Sequence, residues 1–292
     1  MSVLAINARL QNGAFTVGKV LGQGGFGITY QGADMTLRRL VAIKEFFPQG
    51  CVRQDNAVQP RGAMSTTEYS SAKTKFLEEA RTLARFRHPG IVAVHTFFEE
   101  NETAYMVMEY LKGKTLAQSV AERGALSERE AIEHIKKIAE ALEELHSAQL
   151  LHRDVKPENA IACEDGRIVL IDFGLTKKVE EVIGLGTRQL AATTRFGSDG
   201  FAPPEQYLRS GVLGKYTDVY ALGATLYFLL TGTIPISAPE RAMGGVLPAL
   251  QHLAPHASAN VIGAVNQALE IKYKDRPQTV SDFLQLLSAP SF

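Results

Sequence analysis

Along the first 110 residues the apolar positions come in short runs and alternations. Phe15-Thr-Val17 and Lys19-Val-Leu21 precede a cluster of glycines, Ile28-Thr-Tyr30 follows it, and Leu40-Val-Ala-Ile-Lys44 comes next, so residues 14–45 predict strands. Residues 45–72 are mixed and polar, with Pro48, Gly50, Pro60 and Gly62, and predict a loop. From Lys73 to Arg87 the spacing turns helical: Phe76, Leu77, Ala80, Leu83, Ala84 and Phe86 fall on one arc. Residues 91–98 and 104–110 alternate or run apolar, as strands do.

Beyond Gly113 helical spacing dominates. Ser127 with Glu130 three positions on is a capping-box signature. It opens a helix whose apolar residues are Ala131, Ile132, Ile135, Ile138, Ala139, Leu142 and Leu145. Two strand-like pieces near 160–163 and 167–171 follow, then a loop-like stretch over 175–204, then mainly helix from Thr217. The pattern predicts an α+β protein of two lobes: a β-rich part over 1–110 carrying one helix, and a helical part over 111–292, joined near Glu109 to Gly113. There is no internal repeat and no low-complexity tract.

Composition narrows the class. Of 292 residues 45% are hydrophobic, enough for a real core. The 31 basic and 31 acidic residues cancel, which argues against nucleic-acid binding driven by bulk charge. The two cysteines, Cys51 and Cys163, lie far apart and lack the pairing of a zinc site, so a reducing, cytosolic setting is expected. The N-terminus shows no secretory signal. Ala221–Leu230, broken by Gly223 and Thr225, is too short for a membrane span of about 20 residues and predicts a buried core helix. The chain reads as a complete small enzyme or as the cytoplasmic domain of a longer protein, with no membrane segment of its own.

Five groups of residues carry candidate chemistry. Gly22-Gln-Gly24-Gly25-Phe-Gly27 fits G-x-G-x-x-G, which a dinucleotide site shares. A dinucleotide site needs a helix after the glycines. Here both flanks are strands, so the glycines cap a hairpin whose bare backbone can lie over phosphates. Lys44 ends an apolar strand; standing alone it reads first as an edge lysine reaching water. Glu79 falls at roughly 300° when each residue advances about 100° from Phe76, on the apolar arc, whereas Glu78 at roughly 200° lies opposite. A carboxylate facing the core needs a cation, and Lys44 is the candidate; a rim carboxylate reaching water is the other reading. His152-Arg-Asp154-Val-Lys156-Pro-Glu-Asn159 packs a carboxylate, a cation and an amide oxygen into eight residues, the set that phosphoryl transfer needs, though a charged surface loop would look alike. Asp172, in Ile171-Asp-Phe-Gly174, suits a metal-binding carboxylate on a turn or a plain strand-ending turn.

Taken in order, Gly22–Gly27, Lys44, Glu79, His152-Arg-Asp154, Asn159, Asp172-Phe-Gly174 and Pro204-Glu205 resemble the protein-kinase signature set, over about residues 15–287. The style is similar to the eukaryotic-type (Hanks-type) Ser/Thr kinases of bacteria. The resemblance implies a bilobal fold and a non-specific Ser/Thr protein kinase that uses ATP and magnesium, with manganese able to substitute. It implies that the glycine loop covers the phosphates and that Lys44, positioned by Glu79, holds the α- and β-phosphates. Asn159 and Asp172 would bind the metal, Asp154 would accept or orient the substrate hydroxyl, and Lys156 would neutralise the γ-phosphate. Thr29 and Ala42 would line the adenine site, Met108 would be its gatekeeper, and the backbone of Glu109 and Leu111 would meet adenine. Asp218 resembles the family's buried helix aspartate, and Arg276 the late arginine that pairs with Glu205. Implied partners are proteins bearing Ser or Thr and, for bacterial relatives, a phosphothreonine-binding domain.

Residues 172–205 correspond to the family's activation segment. Thr193 and Thr194 lie near Arg188 and Arg195, and Arg153 is the arginine that in many relatives pairs with a phosphorylated loop residue. Autophosphorylation at Thr193 or Thr194 is the resulting expectation, set against two threonines that are never modified. Four departures stand out. The Ala-Pro-Glu motif is Ala202-Pro-Pro-Glu205, Ser198 replaces a threonine, and Thr29 stands where valine is common. Lys44 and Glu79 are 35 positions apart, roughly fifteen more than the family pattern, and the loop between them is unexplained. Two alternatives are carried along: a pseudokinase acting as an ATP-binding scaffold, and a small-molecule phosphotransferase, which would lack the long segment before Pro204-Glu205.

Overall fold

The computed structural model describes residues 3–62, 64–173, 177–178, 200–208 and 210–288. The chain divides into two compact units, residues 1–88 with 92–112, and residues 89–91 with 113–292.

The first unit is an antiparallel sheet of β1 (Arg9–Leu10), β2 (Phe15–Gln23), β3 (Gly27–Asp34), β4 (Arg39–Phe46), β7 (Val94–Glu100) and β8 (Thr103–Glu109), in the order β1-β2-β3-β4-β8-β7. The alternation read from the sequence becomes its two faces. Asn101 and Glu102, at φ 53° and 58°, make the two-residue turn between β7 and β8. The glycine cluster turns β2 into β3, with the Gly24 N–H donating to the Gly27 carbonyl at 2.9 Å.

Residues 45–72 are not the expected loop. Cys51–Gln54 (β5) and Ala57–Pro60 (β6) pair as a hairpin. The following helix α1 runs Thr66–Leu83, starting before the expected Lys73 and stopping short of Arg87. Its start is fixed by a full capping box: the Ser65 hydroxyl accepts from the Glu68 N–H, and the Glu68 carboxylate accepts from the Ser65 N–H. The first two turns are mostly exposed and polar, so they carry no apolar stripe to mark them. Tyr69 and Phe76 of α1 pack on Phe46 of β4, ring centroids 5.4 and 5.6 Å apart.

The second unit opens with β9 (Gly113–Thr115) and α2 (Leu116–Arg123). Helix α3 (Glu128–Ser147) follows, with its predicted apolar stripe buried except for Ile132, which is half-buried. Only half of the expected box at Ser127 forms: its hydroxyl accepts from the Glu130 N–H, while the Glu130 carboxylate pairs with Arg123 at 2.8 Å. A short strand β10 (Leu150–Leu151) leads into the motif loop, and β11 (Ala160–Cys163) pairs with both β12 (Ile168–Leu170) and β9. Within the stretch read as loop, β13 (Lys177–Lys178) pairs with β10. Helix α4 (Lys215–Thr231) contains the predicted core segment and is buried on nearly all sides. The short helices α5 (Ala238–Ala242) and α6 (Leu250–Leu253) precede α7 (Ala259–Ala268) and α8 (Val280–Ser288). Both cysteines are free thiols. Among the described residues no helix is long and apolar enough to cross a membrane.

Candidate active site

Each unit carries its own part of the predicted constellation. In the first, strand register sets the geometry. Thr29 pairs with Lys44 and Lys44 with Met106; one step along, Gln31 pairs with Ala42 and Ala42 with Met108. Paired and alternate residues share a face, so Thr29, Ala42, Lys44 and Met108 stand on the same side of the sheet. The Glu109 N–H donates to the Ala93 carbonyl at 2.8 Å. Glu79 is half-buried on α1 whereas Glu78 is exposed, as the helical wheel predicts.

The motif glycines divide into two kinds. A Cβ on Gly27 would lie 2.3 Å from the Glu45 carbonyl oxygen, so this position is glycine for packing inside the sheet. A Cβ on Gly22, Gly24 or Gly25 would meet no described atom within 4 Å, and none of the three has a positive φ. Among the described residues neither crowding nor a positive φ asks for glycine there. A bare backbone of this kind has room for the close approach of a ligand.

In the second unit the motif loop is held from below. Asp218 is fully buried on α4. Its Oδ1 accepts the Arg153 N–H at 2.7 Å; its Oδ2 accepts the His152 N–H at 3.0 Å and sits 2.8 Å from His146 Nε2. Burial alone would raise this carboxyl, but the His146 hydrogen bond, the nearby histidines and the Arg153 N–H outweigh it and hold it below the ordinary value. Arg153 takes φ 67°, a left-handed conformation rare for a long side chain. Its N–H is fixed by Asp218 and its carbonyl accepts from Gln206 Nε2 at 2.8 Å. The His152 ring lies 4.7 Å from Phe173, and burial holds its pKa below the ordinary histidine value.

On this base three predicted residues meet. Lys156 Nζ is 2.9 Å from Asp154 Oδ2. Asn159 Nδ2 donates to the same Oδ2 at 2.8 Å and to the Asp154 carbonyl at 2.9 Å. Spending the amide nitrogen this way fixes the flip and leaves an amide oxygen of the kind that could ligate a cation. Ala160 pairs with Leu170 across β11 and β12, and the Ile171 N–H donates to the Asn159 carbonyl at 2.9 Å. The hairpin therefore places Asp172, exposed and at φ 62°, beside Asn159. One carboxylate and one amide oxygen suit a hard cation such as magnesium, which commonly takes few protein ligands and completes its shell with phosphates and water.

Glu205 and Arg276 form the expected pair, Nη1 to Oε1 at 2.7 Å and Nη2 to Oε2 at 3.0 Å, both buried. Thr217 Oγ1 also donates to Glu205. Gly174, Arg188, Thr193, Thr194, Arg195 and Ser198 lie outside the described residues. Sequence reasoning passed over His146 and Gln206. His146 left a faint trace, a polar residue beside Leu145 at the end of the apolar stripe; Gln206 left none.

The protein kinase domain model matches residues 15–287. The chain belongs to the protein kinase family. Within it the chain stands with the bacterial eukaryotic-type Ser/Thr kinases. It is 32% identical over 293 residues to serine/threonine-protein kinase B of Synechocystis sp., covering 98% of this chain and 48% of that protein. It is 33% identical to serine/threonine-protein kinase PrkC of Bacillus subtilis, covering 84% of this chain and 34% of that one. A solved structure described as "PpkA-294 apo form" matches with a TM-score of 0.82 at 32% identity, over 98% of this chain and 100% of that one. The chain thus spans about half or less of the length of these curated relatives. The family implies ATP and a divalent metal.

Proposed function

We propose that the chain transfers the γ-phosphate of ATP, with magnesium, to serine or threonine hydroxyls of proteins. The observation that carries this is the Asp154–Lys156–Asn159 cluster, mounted on Asp218 and flanked by Asp172. The substrate hydroxyl oxygen forms a bond to the γ-phosphorus, the bond from that phosphorus to the bridging oxygen of ADP breaks, and the hydroxyl proton passes to Asp154. Lys156 balances charge on the transferring phosphoryl group. Asn159 and Asp172 hold the metal, which neutralises phosphate charge when bound. On the other unit, Gly22, Gly24 and Gly25 leave room for phosphates, Lys44 holds the α- and β-phosphates with Glu79 as its positioning partner, and Thr29, Ala42 and Met108 face adenine with the backbone of Glu109 and Leu111. Little covalent chemistry falls to the protein, so positioning and charge neutralisation supply most of the acceleration.

Activation by phosphorylation at Thr193 or Thr194, a phosphothreonine-reading partner domain and a cytoplasmic setting belong to the same proposal. They rest on family resemblance. Phosphoamino-acid analysis of a generic protein incubated with the chain, labelled ATP and magnesium tests the reading. Label on serine or threonine supports it. ATP binding without transfer favours the scaffold alternative, and transfer to small molecules alone favours the phosphotransferase.

A further inference from the structure

The insertion between Lys44 and Glu79 is fastened to the strand that carries Lys44. Glu45, the next residue, is fully buried on the opposite face of β4. Its Oε2 is 2.6 Å from Arg53 Nη2 on β5 and accepts from the Tyr30 hydroxyl at 2.9 Å; its Oε1 accepts from the Tyr105 hydroxyl at 2.9 Å. Three neighbouring elements, β3, β5 and β8, thus converge on one carboxylate. The Arg53 side chain is itself only 3% exposed, and its guanidinium stacks 5.1 Å from the Phe47 ring. Arg53 also donates to the Asn56 carbonyl at 2.9 Å, closing the hairpin turn.

The far side of the hairpin is fixed as well. The Val58 N–H donates to the Asn101 carbonyl, and Asn101 Nδ2 donates to Tyr105. At the base the Arg61 N–H donates to the Gly50 carbonyl. Only residues 61–65 separate β6 from α1, and Ser65 in that stretch caps the helix. Tyr69 donates to the Glu102 carbonyl at 3.0 Å and packs on Phe46, while the Thr103 hydroxyl donates to the Phe46 carbonyl. The hairpin, the β7–β8 turn and the start of α1 are therefore tied to residues 45 and 46.

We propose that Arg53 is a positioning residue: through its buried pair with Glu45 the β5–β6 hairpin braces β4 against α1 and sets where Lys44 and Glu79 stand. A passive insertion needs no buried ion pair, since desolvating two charges is costly and an apolar replacement of similar size is often as stable. The proposal rests on the reading of Lys44 as a nucleotide-holding residue.

The test uses the 1–292 chain as wild type, Arg53→Met, and the double variant Glu45→Gln/Arg53→Met. Arg53→Met strands a buried carboxylate and should lower the melting temperature. The double variant removes that charge, keeps an acceptor for the tyrosine hydroxyls, and should regain most of the melting temperature without restoring the link. Three readouts are followed: KM against kcat for ATP, the Kd of a fluorescent ATP analogue, and amide hydrogen exchange across residues 66–83. The expected result is a KM and Kd raised at least tenfold in both variants, with faster exchange in the first turns of α1, even where the double variant melts like wild type. Affinity and exchange that return to wild type together with the melting temperature would overturn the proposal and leave the pair a purely stabilising contact. Should wild type transfer no phosphate, the kinase reading fails by itself, while the analogue Kd and the exchange still decide on Arg53.

Discussion

Asp218 accepts the Arg153 N–H at 2.7 Å, and the same carboxylate accepts the N–H of His152 at 3.0 Å. One side chain in the middle of a buried helix thus fixes two successive backbone groups directly before Asp154. The carboxylate acts as a template, holding a strained loop so that Asp154, Lys156 and Asn159 meet.

Asp218→Asn keeps the shape and replaces one acceptor oxygen by an NH2 that meets an N–H. Loss of a charge-assisted buried hydrogen bond costs about 1.5–3 kcal/mol. We expect urea unfolding to show a loss of that order. We also expect kcat to fall more than tenfold at temperatures where the variant remains folded. A variant with normal kcat would show that the loop does not need this template.

The two kinds of glycine should separate in experiment. Gly27→Ala drives a methyl into the Glu45 carbonyl and should cost about 1–3 kcal/mol of stability. Gly25→Val meets open space, so its melting temperature should stay within a degree or two of wild type while KM for ATP rises several-fold. Equal KM values for Gly25→Val and wild type would mean that the bare loop does not approach the nucleotide.

The pH dependence has a definite sign. Burial lowers the His152 pKa in the folded state, and lowers those of His95 and His134. Below about pH 6.5 the unfolded chain takes up protons that the folded chain does not, so stability is full above that pH and falls as the pH drops, by up to about 1.4 kcal/mol per pH unit for the fully buried His152 and by less for the more exposed His95 and His134, whose charges solvent screens. Thermal melts from pH 7.5 to 5.5 should show a falling midpoint, and His152→Phe should flatten part of the slope. A level profile in wild type would contradict the burial of His152.

Much of this was legible in the sequence, for a physical reason. Sheet strands such as Leu40–Lys44 and the stripe of α3 carry their period in contiguous residues, and the motif residues Asp154, Lys156 and Asn159 lie within a few positions of one another. What escaped notice depends on partners far along the chain. Residues 51–60 form two four-residue strands among Pro48, Gly50, Pro60 and Gly62, and they are held by the Arg53–Glu45 pair, which no local pattern announces. The true start of α1 was written in Ser65 and Glu68 but was masked by polar first turns. Gln206, 53 positions from the carbonyl it fixes, has no local signature at all. Glu130 had the right spacing to close a box at Ser127 and took Arg123 instead.

The proposed function places Asp154 at the reacting centre. The most direct measurement is transfer of label from ATP with magnesium to the chain itself and to a generic protein, comparing wild type with Asp154→Asn. Label on serine or threonine is expected with wild type and a rate at least about 100-fold lower with the variant, the minimum expected for loss of a general base, while both bind nucleotide and melt alike. Equal transfer by both proteins, or none by either with nucleotide still bound, would contradict it.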